Sequence, residues 1–285
     1  LNNDGCYSLH TDIANATSGT ITIKASVPTT NQVIVSVSNG EVTIMAAINV
    51  SLKPALEENT IRVSEAGTLA KILEGYDKNT ITTLRVIGSL DKRDINVLKE
   101  LPQLAILDLE NVYMPKLPND AFADKKTLTS IMLPKTLKEI GAHAFHNCSG
   151  LIGDLIIPAN VTTIGECAYM NCTGFTGKLI IPATVNSIGE FAFSGCSGLT
   201  GDLVIPTNII SIGEYAFYGC SGFTGKLIIS PNVTLIGEEA FSQCKNLTGD
   251  LTIPTNVISI GDRAFYFCTG FIGKLTLPAE LTTIG

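Results

Sequence analysis

Residues 153–176 read GDLIIPANVTTIGECAYMNCTGFT, and residues 177–200 read GKLIIPATVNSIGEFAFSGCSGLT. Set one under the other, the two keep the same residue class at nearly every position, and the match continues in steps of 24 residues to Gly285. Cys148, Cys172, Cys196, Cys220, Cys244 and Cys268 mark one place in successive units. An aromatic column (Phe145, Tyr169, Phe193, Phe217, Phe241, Phe265), an alanine column (Ala144 to Ala264) and a glycine column (Gly141 to Gly285) run beside them. A period in this range is the signature of a solenoid, in which each unit stacks on its neighbours. A lone unit cannot fold: roughly six buried apolar side chains at about 1.5–3 kcal/mol each offset less than the backbone entropy of its residues at about 1–2 kcal/mol each.

Working outward, each unit offers a short strand (Leu155-Ile156-Ile157), a proline stop, and a second extended run (Val161 to Ile164). A tight turn at Gly165 and one helical turn through the alanine–aromatic pair complete it, which is the outline of a leucine-rich repeat. The regular repeats occupy residues 128–285. Residues 56–127 read as degenerate repeats that cap the first edge: Gly67 to Asp77 and Asp91 to Leu101 have helical spacing and precede strands at Ile81 to Ile87 and Leu104 to Leu109. Residues 1–55 are expected to form a small β module with runs at Thr20 to Ala25, Val33 to Ser38 and Glu41 to Ile48. Asn39-Gly40 is a hairpin signal between the last two. The fold class is thus a leucine-rich-repeat solenoid preceded by a small all-β module. The last unit stops in mid-repeat at Ile284-Gly285, so further repeats are expected to follow in the natural protein.

Composition excludes several roles. Charged residues are 16% of the chain and the net charge is −7, so no cationic surplus exists to neutralise a phosphate backbone, and nucleic acid is not an expected partner. No apolar run reaches the roughly 18 residues of a membrane span. No nucleophile motif or glycine-rich phosphate loop is present, so no catalytic residue or cofactor is assigned and no enzyme is expected. His143-x-x-His146 with Cys148 has a metal-like spacing, but the histidines belong to variable columns and the cysteine to an invariant one, so the three are not expected to converge and no metal ligand is assigned.

The columns divide into packing and surface positions. The cysteine column suits a buried corner; free thiols, inter-repeat disulfides and metal or redox chemistry are the alternatives, with Cys6 and Cys167 outside the ladder. Charge alternates before the strand (Asp154, Lys178, Asp202, Lys226, Asp250, Lys274) as Leu and Phe alternate just upstream, so the copied unit is a pair of 48 residues and the charges are expected to form a ladder of opposite-charge neighbours. Glu166, Glu190, Glu214, Glu238 and Asp262 are expected at solvated helix N-terminal positions. Two candidate interaction surfaces emerge. One is the outward strand face, Ile156, Ile180, Val204, Ile228, Thr252 and Thr276; the other is an aromatic group on two variable columns three residues apart, Phe191, Tyr215, Tyr218 and Tyr266.

The units LTSIMLPKTLKEIGAHAFHNCSGL from Leu128 and IPTNIISIGEYAFYGCSGFT from Ile205 resemble the BspA-type leucine-rich repeats of bacterial surface proteins. Ile81 to Val112 is similar to the entry region ahead of those repeats, and the resemblance covers about residues 60–285. One departure is the Gly-Asp or Gly-Lys insertion before the strand, expected to alter the strand entrance. The resemblance implies a secreted or surface-displayed, non-enzymatic adhesion protein whose partner is a host extracellular or bacterial surface protein. Polysaccharide binding is the alternative, prompted by Tyr215 and Tyr218.

Overall fold

The structure is a computed structural model; it describes the backbone of Thr30–Ser38 and Thr43–Ser51, and residues 59–285 in full. Thr30–Ser38 and Thr43–Ser51 pair antiparallel, from Ser38 opposite Thr43 to Thr30 opposite Ser51. The Thr20 to Ala25 run, the Asn39-Gly40 turn and Cys6 lie outside the described residues.

The solenoid is described from residue 59 and makes about nine turns. Its first strands, Thr60–Val63, Thr83–Ser89, Ile106–Asp108 and Ser130–Met132, pair in parallel, each with the next. The helix Lys92–Glu100 starts at the N-cap Asp91, which accepts from the Arg93 amide at 2.8 Å. Asp94 is buried without strain because its carboxylate accepts from the amides of Gly67, Leu69 and Asp91 at 2.6, 3.0 and 3.0 Å.

Beyond this entry each layer contributes two short strands. The first ladder runs through Gly153–Ile156, Phe175–Ile180, Leu203–Val204, Leu227–Ile228, Leu251–Thr252 and Leu275–Thr276. The second runs through Lys116–Leu117, Glu139–Ile140, Thr163–Ile164 and so on to Thr283–Ile284. Proline stops the first strand because it has no amide hydrogen to donate, and its carbonyl then closes a turn, as where Val161 N donates to Pro158 O at 3.0 Å. The asparagine after it binds the layer before: Asn208 Nδ2 donates to Ala183 O at 2.7 Å, and Asn256 Nδ2 to Pro231 O at 2.7 Å.

The expected helical turn is absent; in its place stand consecutive tight turns forming a third ladder. Amides alternate between the same layer and the next: Met170 N donates to Cys167 O, while Cys167, Tyr169 and Asn171 donate to Glu190, Ala192 and Ser194 at 2.7–2.9 Å. Such alternation needs a left-handed residue at two places per layer, and Cys167 (φ 52°) and Asn171 (φ 59°) adopt it, as do Phe191, Tyr215, Glu239 and Arg263. The conformation costs about 1–2 kcal/mol per residue, offset here by inter-layer hydrogen bonds that a helix could not make. The acidic column is exposed, as expected, but its carbonyls serve this ladder and no helix dipole acts on its carboxylates.

The aromatic column fills the interior. Rings from Phe122 to Phe265 stack with centroids 5.0–5.6 Å apart and planes within 18° of parallel. Beside them the six ladder thiols each donate to a carbonyl of the preceding layer at 2.9–3.2 Å, Cys196 Sγ to Tyr169 O for example. The seven described cysteines are free. One layer earlier, Lys125 stands in the cysteine register and does the same work, with Nζ donating to Leu101 O at 2.7 Å and Lys99 O at 2.9 Å.

The 48-residue alternation has a backbone cause different from the expected charge ladder. Within each pair, the aspartate carboxylate accepts the amide of the following lysine residue at 2.7 Å: Asp154 from Lys178, Asp202 from Lys226, Asp250 from Lys274. Among the described residues none of these aspartates forms an ion pair with those lysines. The first ladder is paired within these units and interrupted between them. Gly201 before Asp202 has φ +80°, whereas at Gly225 a Cβ would sit 2.1 Å from Asp202 Oδ1, so glycine is required in both members for different reasons. Asp202→Ala is therefore expected to lower stability by about 1 kcal/mol in urea unfolding, and Lys226→Ala to stay within about 0.5 kcal/mol. Equal losses would restore the charge ladder.

Candidate functional site

The pleat of the first ladder sorts its residues by face. Leu155, Leu179, Leu203 and Leu227 point inward and are 1–7% exposed, while Ile156, Ile180, Val204 and Ile228 are 44–60% exposed. Parallel register pairs Ile156 with Ile180, Val204 with Ile228 and Thr252 with Thr276, and the 24-residue repeat sets these pairs in a row on successive layers, with the threonines on one side. On the other side, Met132, 49% exposed, extends the row and was not singled out from the sequence. Beyond it the register brings Asp108 and Arg85, which form an ion pair at 3.2 Å. The outcome is an apolar strip five residues long with polar ends.

The strip is not an unbroken sheet. Leu151 to Leu155 is one residue longer than Leu128 to Ile131, whereas Phe175 to Leu179 has the same length, and a separate register shift between Gly153 and Leu155 lies in the pairing with Phe175–Ile180. Ser130–Met132 does not pair with Gly153–Ile156, at the place where the extra residue stands. A cleft of about 600 Å³ opens there between Met132, Ile152 and Ile156, and the Lys135–Glu110 ion pair at 3.0 Å stands at it. The insertion noted in the sequence coincides with this break in strand pairing; its length alone did not reveal a cleft.

The aromatic candidates do not form one patch. Phe191 and Tyr215 stack at 4.6 Å with planes 2° apart, and Tyr218 lies 5.9 Å from Tyr215. All three are half-buried. The Tyr215 hydroxyl donates to Glu238 Oε1 at 2.8 Å, which with lesser help from burial raises its pKa to about 12. Gln243 Nε2 donates to Tyr218 Oη at 2.5 Å. Tyr266 stands apart with Phe267, rings 4.4 Å from each other and both about half exposed. The intervening Ser242, on the same column as Tyr218 and Tyr266, is fully buried, so that column is not uniformly a surface one.

The ladder thiols are unsuited to chemistry. Burial pushes Cys148 and Cys196 up to about 12 and Cys268 to about 11, so they remain protonated near neutrality. Cys148 does not meet His143 and His146, because its Sγ is buried against Phe122 O. Among the described residues, the group of three potential metal ligands is instead His143, Glu166 and Cys167, whose ligand atoms lie within 4.8 Å of one another. Its signal was present in the sequence: His143 and Cys167 stand one repeat apart in a single column.

Stacked parallel strands, inward leucines and a repeat of about 24 residues define a leucine-rich-repeat solenoid. Residues 76–176 and 175–285 match the BspA type leucine rich repeat region, in six copies, and the chain belongs to that family. Among solved structures it is similar to a leucine rich cell surface protein from Faecalibacterium prausnitzii, at 31% identity and a TM-score of 0.50, over 56% of this chain and 43% of that one. It is also similar to a leucine rich repeat protein of T. pallidum, at 24% identity and a TM-score of 0.51, over 59% of this chain and 77% of that one; this likeness concerns the fold alone. The chain spans less than half the length of the Faecalibacterium protein. No curated protein matches it. No helix among the described residues is long and apolar enough to cross a membrane.

Proposed function

We propose that this chain is a non-enzymatic binding scaffold, secreted or displayed on the outer surface of a bacterium, that docks a host extracellular or bacterial surface protein on the outward face of its first strand ladder. The carrying observation is the strip Met132, Ile156, Ile180, Val204 and Ile228, apolar, exposed on successive layers and closed at its ends by Thr252 and by the Arg85–Asp108 pair. Exposed apolar surface with a polar rim is what protein interfaces bury at their centres. Solenoids use extended faces of this kind for binding. The surface setting is supported by family membership and by the likeness to the Faecalibacterium cell surface protein. Polysaccharide binding through the aromatics is less favoured, since Phe191 and Tyr215 cover one face of each other and the Tyr215 hydroxyl is engaged.

Screening the chain against arrays of matrix proteins, bacterial surface proteins and glycans tests this. A protein ligand is expected, and Ile180→Glu with Val204→Glu should weaken it at least about 10-fold, since a carboxylate buried at an apolar interface costs more than 1.4 kcal/mol. The melting temperature should stay near that of the parent because both side chains are already exposed. Binding to glycans alone, or binding indifferent to the double substitution, would overturn the proposal.

A further inference from the structure

We infer that His143, Glu166 and Cys167 bind a divalent transition-metal ion of the zinc class, at a site that joins two successive layers of the solenoid. His143 and Cys167 hold equivalent positions in neighbouring layers, both in the left-handed conformation, at φ 56° and 52°. Their backbones are fixed by the third ladder, His143 N donating to Glu166 O at 2.8 Å and Cys167 N to Glu190 O at 2.9 Å. Neighbours in this column reach each other: its next two members, Phe191 and Tyr215, are in ring contact. The three ligand atoms therefore meet because the fold stacks them, within 4.8 Å.

Cys167 differs from every other described cysteine. The six ladder thiols each give a hydrogen bond to a carbonyl, whereas Cys167 Sγ, in a residue only 7% exposed, gives none, and it faces an imidazole and a carboxylate. A nitrogen, a sulfur and an oxygen ligand suit zinc in tetrahedral coordination, which holds sulfur at about 2.3 Å and nitrogen at about 2.0–2.1 Å, so that ligand atoms sit roughly 3.3–3.8 Å apart. Rotation of the exposed Glu166 side chain and the half-buried His143 ring closes the remaining distance. Calcium and magnesium do not fit, because both call for oxygen ligands and only Glu166 supplies them. The fourth position is open to water or to His146, whose ring centroid is 5.7 Å from that of His143.

Cobalt(II), which reports thiolate coordination by a charge-transfer band, is the probe. Titration of the reduced full chain is expected to give a saturable band at one equivalent, displaced by zinc(II). Cys167→Ser should abolish the band, and His143→Gln should weaken cobalt affinity at least about 10-fold, since changes in groups behind the ligands alone already cost about 10–100-fold. Circular dichroism of the metal-free variants separates ligand loss from misfolding, and His143→Gln and Cys167→Ser are independent of each other in this respect. Absence of the band at excess cobalt, or its persistence in Cys167→Ser, overturns the site.

Discussion

Phe217→Ala is expected to lower the unfolding free energy by about 3–5 kcal/mol. Phe217 is fully buried and stacks on Phe193 at 5.4 Å and on Phe241 at 5.6 Å, so its removal leaves a ring-sized void shared by three layers. A solenoid has no distant core to compensate, because each layer contacts only its neighbours. The loss should therefore appear also as broadened or split urea transitions, as the two sides of the damaged layer uncouple. Tyr266→Ala, which removes a larger side chain from a half-exposed position, should by contrast change stability by no more than about 0.5 kcal/mol. A loss below about 1 kcal/mol for Phe217→Ala would mean that the aromatic column is not the core.

Gly189→Ala is expected to cost about 2–3 kcal/mol and Gly213→Ala less than about 1 kcal/mol, although the two glycines are equivalent in sequence. A Cβ at Gly189 would lie 2.5 Å from Glu166 N and 2.7 Å from Gly165 C. These are backbone atoms of a neighbouring layer and cannot turn aside. At Gly213 the nearest atoms are 3.3 Å away. The same layer boundary lacks strand pairing in both ladders, since Phe175–Ile180 does not pair with Leu203–Val204 nor Ser187–Ile188 with Ser211–Ile212. Only the turn ladder crosses it without interruption, with Phe191, Phe193 and Gly195 donating to Glu214, Ala216 and Tyr218 at 2.7–3.0 Å. Thermal unfolding of the two variants measures the difference, and equal losses would show that this boundary is as tight in solution as its neighbours.

Columns that are uniform in sequence proved to be those where packing or backbone geometry admits one answer. The aromatic, alanine and cysteine columns are interior, and the strand leucines and isoleucines alternate inward and outward as the pleat requires. The cysteine column could be read as buried, but its reason, a thiol donating to a carbonyl of the layer before, depends on a partner 26 or 27 residues away. The aspartate and lysine alternation announced a paired unit correctly and its chemistry incorrectly. A carboxylate that satisfies a backbone amide cannot be told from one that meets an ammonium by listing charges. The turn through the alanine–aromatic pair looked helical because five or six residues are too few for a period of 3.6 to be distinguished from successive tight turns.

The amino-acid sequence by itself determined the layer: its length, its two strands, its interior residues and the family to which the chain belongs. Repetition makes this possible, since a requirement that recurs in every layer is written once per layer. The tertiary structure decided what occurs only once. It opened a cleft where Ser130–Met132 and Gly153–Ile156 do not pair, loosened the boundary at Gly213, divided the aromatic candidates into two groups, and brought His143, Glu166 and Cys167 together. Such features arise from contacts between layers, where distance is set by stacking and not by order along the chain.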